Sequence, residues 1–247
     1  VDIRNKHLLI TGGGRRIGRV LALDAASRGA RITIHYRSGR DEAEETVAEI
    51  ARLGSAAVAV RAELTSAAEV RRLVDSAVQA FGPLDALYAS AAVFRKTPWK
   101  TLDEKAWTFH LDSNLTAVFL LVKEVESRMN DGGVIVTFGD WSATRPYRNY
   151  LPYTVSKAGV VALTKALAQE LAPRLRVNCI CPSTVLPPED VSEALLATIA
   201  ERTPLGRIGS PEDVAAAVRF LVEETDFATG SIVTIDGGRL VADPGCG

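Results

Sequence analysis

The sequence predicts an α/β protein: a doubly wound, seven-stranded parallel sheet with helices on both faces. Two observations carry this expectation. Short apolar runs of strand length alternate with helix-patterned stretches along nearly the whole chain. Three strand-helix-strand units also fit within about the first 90 residues, and connections of that length join parallel strands by right-handed crossovers.

His7 to Ile10 (HLLI) reads as a short buried strand, followed by TGGGRRIG and the helical run RVLALDAASRG. RITIHY is the second strand, DEAEETVAEIARLG the second helix and AAVAVRA the third strand. SAAEVRRLVDSAVQAFG then leads to the fourth strand, LDALYAS. Residues 103–129 read as one long helical stretch, VIVTF as the fifth strand, 153–171 as the next helix and LRVNCI as the sixth strand. Two further helical patterns precede a seventh strand, SIVTI. No linker, repeat or low-complexity run interrupts the series, so a single domain over residues 1–247 is expected.

Composition narrows the function. At 247 residues the chain is long enough to bury a sizeable core. Hydrophobic residues make up 47%, yet no apolar run approaches the ~20 residues of a membrane-spanning helix. Net charge is −1 with acids and bases interspersed, which leaves no basic field for nucleic acid or an anionic membrane. The opening VDIRNKHLLI enters a strand pattern without a signal or transit signature, so a cytoplasmic protein acting on a small molecule is expected. Cys179 and Cys181 fall on one face of a strand and lack nearby His or further Cys, a poor metal set; buried thiols are expected there. Cys246, in the DPGCG tail, is expected to be an exposed, oxidisable thiol. His7, His35 and His110 are scattered among unrelated elements and read as structural.

The chemistry concentrates in DWSATRPYRNYLPYTVSK, residues 140–157. Tyr153 and Lys157 are four apart where a helical pattern begins, so they share a helix face. A phenol with a pKa of about 10 is a poor acid near neutrality, and a neighbouring ammonium is expected to lower that value and make Tyr153 a usable general acid. Asp140 has two readings. Desolvated beside Tyr153 it would share a proton; solvated, it would only orient amino groups of a substrate.

Gly12, Gly13, Gly14 and Gly18 follow the first strand and open the first helix, a context suited to a pyrophosphate at a helix N-terminus. Ile17 stands where the third Gly of GxGxxG would be. The second strand ends Ile34-His35-Tyr36-Arg37-Ser38, with no acid before Asp41 to take a ribose 2′-hydroxyl. Arg37, Arg40, Arg15 and Arg16 could instead meet a 2′-phosphate. NADPH is therefore expected over NADH.

These residues resemble the short-chain dehydrogenase/reductase family over nearly the whole chain. The resemblance rests on Thr11-Gly12 through Gly18, Asn114, Tyr153-x-x-x-Lys157, Arg176-Val177-Asn178 and Asp236-Gly237-Gly238. It implies a single-domain Rossmann fold and nicotinamide chemistry, with Tyr153 as proton donor, Lys157 on the ribose hydroxyls and Asn114 supporting a relay water. The implied cofactor contacts are Gly12, Gly14, Arg15, Arg16 and Ile17 in the turn; His35, Tyr36, Arg37 and Ser38 after the second strand; and Glu63 and Leu64 after the third. Ser90 and Ala91, then Tyr153 and Lys157, then Pro182 and Ser183 complete that set. A dimer or tetramer through the helices at 103–129 and 153–171 is implied as well.

Within the family, Arg16 replaces a usual Gly and Asp140 a usual Ser. Both replacements, with the HYRS strand end, resemble the pteridine and dihydromonapterin reductases. Phe94 matches their ring-stacking aromatic, which implies a flat pterin between the nicotinamide and Phe94, contacted by Arg16, Asp140 and Tyr153. Two departures stand against the likeness: Ala89-Ser90-Ala91-Ala92 replaces an Asn-Asn-Ala-Gly or Asn-Asn-Ala-Ser segment, and Glu63 replaces an Asp. Arg95, Lys96, Trp99, Trp141, Arg145 and Tyr147 are candidates for the entrance, and Ser183 to Thr203 for a substrate lid. The expected function is NADPH-dependent hydride transfer to a C=N or C=O carbon, first as a pteridine reductase. A carbonyl or 3-oxoacyl-thioester reductase is the alternative, and a non-catalytic NADP(H) sensor a third reading.

Overall fold

Among the described residues, 2–187 and 191–242 of a computed structural model, seven parallel strands form one sheet in the order β3-β2-β1-β4-β5-β6-β7. They are β1 (His7–Thr11), β2 (Arg31–Tyr36), β3 (Ala57–Arg61), β4 (Leu84–Ala89), β5 (Met129–Phe138), β6 (Arg176–Pro182) and β7 (Ile232–Ile235). The chain winds outward from β1 to one edge, returns beside β1 with β4, and winds outward to the other edge. That reversal leaves a crevice beyond the carboxyl ends of β1 and β4, where open α/β sheets bind ligands.

The strands read as nearly continuous apolar runs because both faces are covered. All five residues of β1 are buried. On one face Leu8, Ile10, Ile32 and Ile34 pack against α1 (Arg16–Ser27), α2 (Arg40–Arg52) and α8 (Pro211–Arg219). On the other, Leu9, Leu87 and Val177 meet Leu73 of α3 (Ala67–Phe81), Leu121 of α5 (Ala117–Val125) and Val160 of α6 (Leu151–Leu171). Each such side chain, fully buried, contributes about 1.5–3 kcal/mol. In-register pairing of Thr11 with His35 and of Ile10 with Tyr88 aligns the strand ends that carry the cleft.

One expected element differs. Residues 103–129 are not one helix: α4 (Glu104–Leu111) passes into a π-helical turn, Asp112–Thr116, before α5, and β5 begins at Met129 instead of at residue 134. The turn keeps helical dihedrals at both flanks, so residue pattern alone does not reveal it. Within the turn Asn114 is buried. Its Oδ1 accepts from the Val93 N–H at 2.8 Å, and its Nδ2 donates to the Val93 carbonyl and the Ser156 hydroxyl, each at 3.0 Å. α7 (Glu193–Glu201) follows β6 after residues 188–190; those three and Cys246 lie outside the described residues. No described helix is long and apolar enough to cross a membrane.

Candidate active site

A cleft of about 530 Å³ runs along the carboxyl ends of the strands, from Arg37 and Glu63 past the glycine turn to Asp140, Tyr153 and Lys157. Each residue of the cofactor set that the family resemblance implies lines it, as do Phe94 and Asp140.

The turn after β1 closes tightly. Gly12 has φ +68°, and a Cβ on Gly18 would lie 2.3 Å from the Gly12 carbonyl oxygen, so neither position accommodates a side chain without backbone movement. Arg16 also holds a left-handed backbone (φ 51°), which for a non-glycine residue costs about 1–2 kcal/mol. Its guanidinium donates to the Leu186 carbonyl, linking the turn to the segment after β6. The first turn of α1 has neither a capping side chain nor an acid, which leaves its N–H groups to an anion. Behind the turn, the Gly12 N–H donates to His35 Nδ1 at 3.3 Å, and His35 Nε2 donates to the Ala62 carbonyl at 3.0 Å. These bonds use the neutral imidazole, and burial pulls the His35 pKa below its usual value. His35 thus anchors the phosphate turn, a role its strand position alone did not disclose.

At the strand-end side, Arg15 Nη2 donates to the Ser38 carbonyl at 3.1 Å and approaches its hydroxyl at 3.3 Å, while Arg37 Nη1 lies 3.8 Å from Glu63. Arg40 departs from expectation. It is outside the cleft, its Nε paired with Glu44 at 2.6 Å one helical turn on, where an exposed i,i+4 partner holds it.

At the other end the Tyr153 hydroxyl donates to Asp140 Oδ2 at 2.8 Å, and Asp140 Oδ1 accepts from the Ser142 N–H at 2.7 Å. Lys157 is buried; its Nζ donates to the Phe138 carbonyl at 2.7 Å and lies 5.9 Å from the centre of the Tyr153 ring. Burial first, then the charge of Asp140, pushes the Tyr153 phenol well above its usual pKa. This reverses the expectation that Lys157 lowers it. The hydroxyl faces a carboxylate at hydrogen-bond distance, while the ammonium is turned to a backbone carbonyl, so the nearer anion dominates. Burial also draws Lys157 below the usual lysine value, with Asp140 opposing. The arrangement holds a neutral, proton-bearing phenol at neutral pH.

Phe94 stacks on Tyr150 (4.4 Å between ring centres, 9° between planes) and meets Tyr153 edge-on at 4.7 Å. One of its faces is therefore covered by a ring absent from the expected site. Among the entrance candidates only Tyr147 lines the cleft. Trp141 is buried behind it and donates from Nε1 to the Tyr147 hydroxyl. Arg95 lies over Phe109 at 4.5 Å, Arg145 lies 5.8 Å from the Trp141 ring, and Trp99 is exposed; these three and Lys96 do not line the cleft. Asn114 does not line it either, because its amide holds the loop after β4, together with Thr11, whose Oγ1 accepts from the Ala91 N–H at 3.1 Å. Of the expected lid, Ser183 to Pro187 line the cleft. Thr65 and Ser113 also line it and carried no sequence signal. Cys179 and Cys181 are buried thiols with sulfurs 3.8 Å apart.

Comparison with known proteins matches this architecture across the chain. The family profile described as Enoyl-(Acyl carrier protein) reductase matches residues 13–239. A 3-oxoacyl-[acyl-carrier-protein] reductase of Synechocystis sp. is 34% identical over 239 residues, 94% of this chain and 96% of that protein. The 3beta-hydroxysteroid dehydrogenase 1 of Eggerthella lenta is 33% identical, covering 97% and 95%. A short chain dehydrogenase from Burkholderia cenocepacia, solved in complex with NADP, superposes with a TM-score of 0.91 at 33% identity, over 97% of this chain and all of that one. With its seven-stranded parallel sheet, glycine turn and paired Tyr153 and Lys157, the chain belongs to the short-chain dehydrogenase/reductase family of oxidoreductases.

Proposed function

We propose that this oxidoreductase is an NADPH-dependent reductase acting on a C=N or C=O carbon, with Tyr153 delivering the proton to the adjoining nitrogen or oxygen. The observation that carries the proposal is the 2.8 Å hydrogen bond from Tyr153 to Asp140 in the cleft that also holds the glycine turn. The residues present fit a phosphorylated dinucleotide. The uncapped start of α1 suits a pyrophosphate, and Arg37 with Arg15 and Ser38 supplies donors where an acid would otherwise take the 2′-hydroxyl. When bound, the cofactor supplies the hydride. Tyr153, kept protonated by burial and by Asp140, serves as general acid. Lys157 is buried in the same cleft with ammonium protons that no described residue takes beyond the one given to Phe138, and these suit ribose hydroxyls.

A planar, amino-bearing heterocycle such as a dihydropterin is the substrate that Asp140 favours. An ionised carboxylate only accepts hydrogen bonds, so it rewards N–H donors and gains nothing from a carbonyl oxygen. The half-exposed Phe94 offers an aromatic ring beside it. A second reading, reduction of a 3-oxoacyl thioester or other ketone, is favoured by the names of relatives such as the Synechocystis enzyme. NADPH consumption with a dihydropterin and with acetoacetyl thioesters separates the two. Higher kcat/KM on the pterin supports the first reading, and the reverse order replaces it with the second. Exposed Phe119 on α5, with Leu151 and Val155 on α6, supports association of copies through those helices, which light scattering tests.

A further inference from the structure

A second cleft, of about 470 Å³, adjoins the first; Ser183 and Thr184 line both. Among the described residues four charged ones line it: Arg207, Asp213, Asp236 and Arg239. Three are already engaged. Arg207 grips Asp213 through both terminal nitrogens, at 2.7 and 2.9 Å. The Asp236 carboxylate accepts from the Gly238 N–H at 2.9 Å and the Leu240 N–H at 2.8 Å, which folds the turn after β7.

Arg239 is different. Its Nη1 donates to the Thr184 hydroxyl at 3.1 Å, and its guanidinium lies over the Trp141 ring at 4.3 Å. Its remaining N–H groups have no hydrogen-bond partner among the described residues, and no described carboxylate comes within ion-pair distance of it. Arg145 lies on the same indole at 5.8 Å and donates to the Arg239 carbonyl at 3.1 Å, and Arg202 adds further positive charge nearby. A guanidinium stays charged, and around this partly buried one the charge of Asp236, whose carboxylate is taken up by the turn after β7, offsets those of Arg145 and Arg202 only in part, so a directly bonded anion is favoured. Its planar fork matches a carboxylate or phosphate. Stacking on Trp141 fixes that fork, and Trp141 directly follows Asp140 in the chain.

Resting on the reductase reading of the first cleft, we propose that the second cleft receives an anionic tail of the substrate, a carboxylate or phosphate, on the Arg239 fork, while the reacting group lies beside Asp140 and Tyr153. Thr184, shared by both clefts and held by Arg239, marks the passage between them.

The test uses matched pairs on the full chain saturated with NADP⁺ for calorimetric binding and with NADPH for turnover. One pair is a dihydropterin bearing a glutamate tail against one bearing a neutral side chain. The other is acetoacetyl-CoA against acetoacetyl-N-acetylcysteamine. The expected result is at least about tenfold tighter binding of the anionic member in one pair, as one charge-assisted fork supplies, and that pair identifies carboxylate or phosphate as the tail. In R239M the anionic-to-neutral ratio should fall to about one, and R239K should keep an intermediate ratio because a lysine retains charge without the fork. Because the readout is a ratio, a merely structural role for Arg239 would weaken both members and leave it unchanged. Ratios near one in native protein for both pairs, or an unaltered ratio in R239M, would overturn the proposal. Tail-dependent binding without NADPH consumption would instead overturn the reductase reading and leave the anion site standing.

Discussion

The Tyr153 hydroxyl donates to Asp140 at 2.8 Å, whereas Lys157, four residues along the same helix, directs its ammonium to the Phe138 carbonyl. The phenol therefore keeps its proton at neutral pH beside an anion, and its elevated pKa makes it a weaker acid than a free phenol. Tyr153→Phe removes that proton without disturbing the glycine turn. Turnover should fall by about a hundredfold or more, since general-acid catalysis is worth roughly 10²–10⁴-fold. NADPH affinity, measured by calorimetry, should change little. Native-like turnover by the variant would remove Tyr153 from the mechanism.

Cofactor choice turns on Arg37. It is half-exposed just after β2, and among the described residues a 3.8 Å approach to Glu63 is its one ion pair, so its guanidinium can take a 2′-phosphate at small cost. Native protein should bind NADPH at least about tenfold more tightly than NADH, a difference of ~1.4 kcal/mol. Arg37→Ala should collapse most of that ratio and leave NADH affinity near its starting value. Equal affinities for the two cofactors in native protein would contradict this.

Acid should loosen the phosphate turn through His35. Burial depresses its folded pKa below 6.5, with Arg37 acting in the same direction and Glu63 and the Ala62 carbonyl opposing. Below that value the unfolded chain takes up the proton first. The contribution of neutral His35 is thus complete above about pH 6.5 and is lost as pH falls through the lower folded pKa, at up to about 1.4 kcal/mol per pH unit. Buried His7, whose ring bonds the Gly82 carbonyl and Thr33, titrates in the same sense. Urea melts from about pH 8 to about pH 5 should show stability falling with acidification. His35→Gln should show a shallower slope; an identical slope would exclude the histidine as its source.

Much of this architecture is legible in the sequence, for identifiable reasons. The strands are apolar because both faces of the sheet are covered, and the glycine cluster is visible because a Cβ on Gly18 would strike the backbone of Gly12. The π-helical turn at Asn114 is hidden because it alters hydrogen bonding without altering residue pattern. The ionisation of Tyr153 is misjudged from spacing because helix periodicity places Lys157 nearby but says nothing of Asp140, which arrives from the end of β5. The covering of Phe94 by Tyr150 and the alignment of Arg239 on Trp141 are likewise contacts between distant segments, with no local signature.

Substrate class turns on Asp140. Its carboxylate binds the Tyr153 hydroxyl through one oxygen and the Ser142 N–H through the other, and each oxygen keeps a further lone pair for a substrate donor. The amino-pyrimidine edge of a pterin offers such donors; a ketone offers only an acceptor. Replacement by Ser, the residue usual in the wider family, substitutes a hydroxyl that can donate to a carbonyl. It also removes the charge that helps raise the Tyr153 pKa. Asp140→Ser should therefore lower kcat/KM for a dihydropterin by at least about tenfold, because a charge-assisted hydrogen bond contributes about 1.5–3 kcal/mol. Ketone reduction should fall less, or rise, and the basic limb of its pH profile should move to lower pH as the phenol becomes more acidic. Steady-state kinetics of both proteins on a dihydropterin and a 3-oxoacyl thioester decide the matter. If native protein prefers the thioester, or the substitution weakens both substrates equally, Asp140 does not select for an amino-bearing ring and the carbonyl-reductase reading takes precedence.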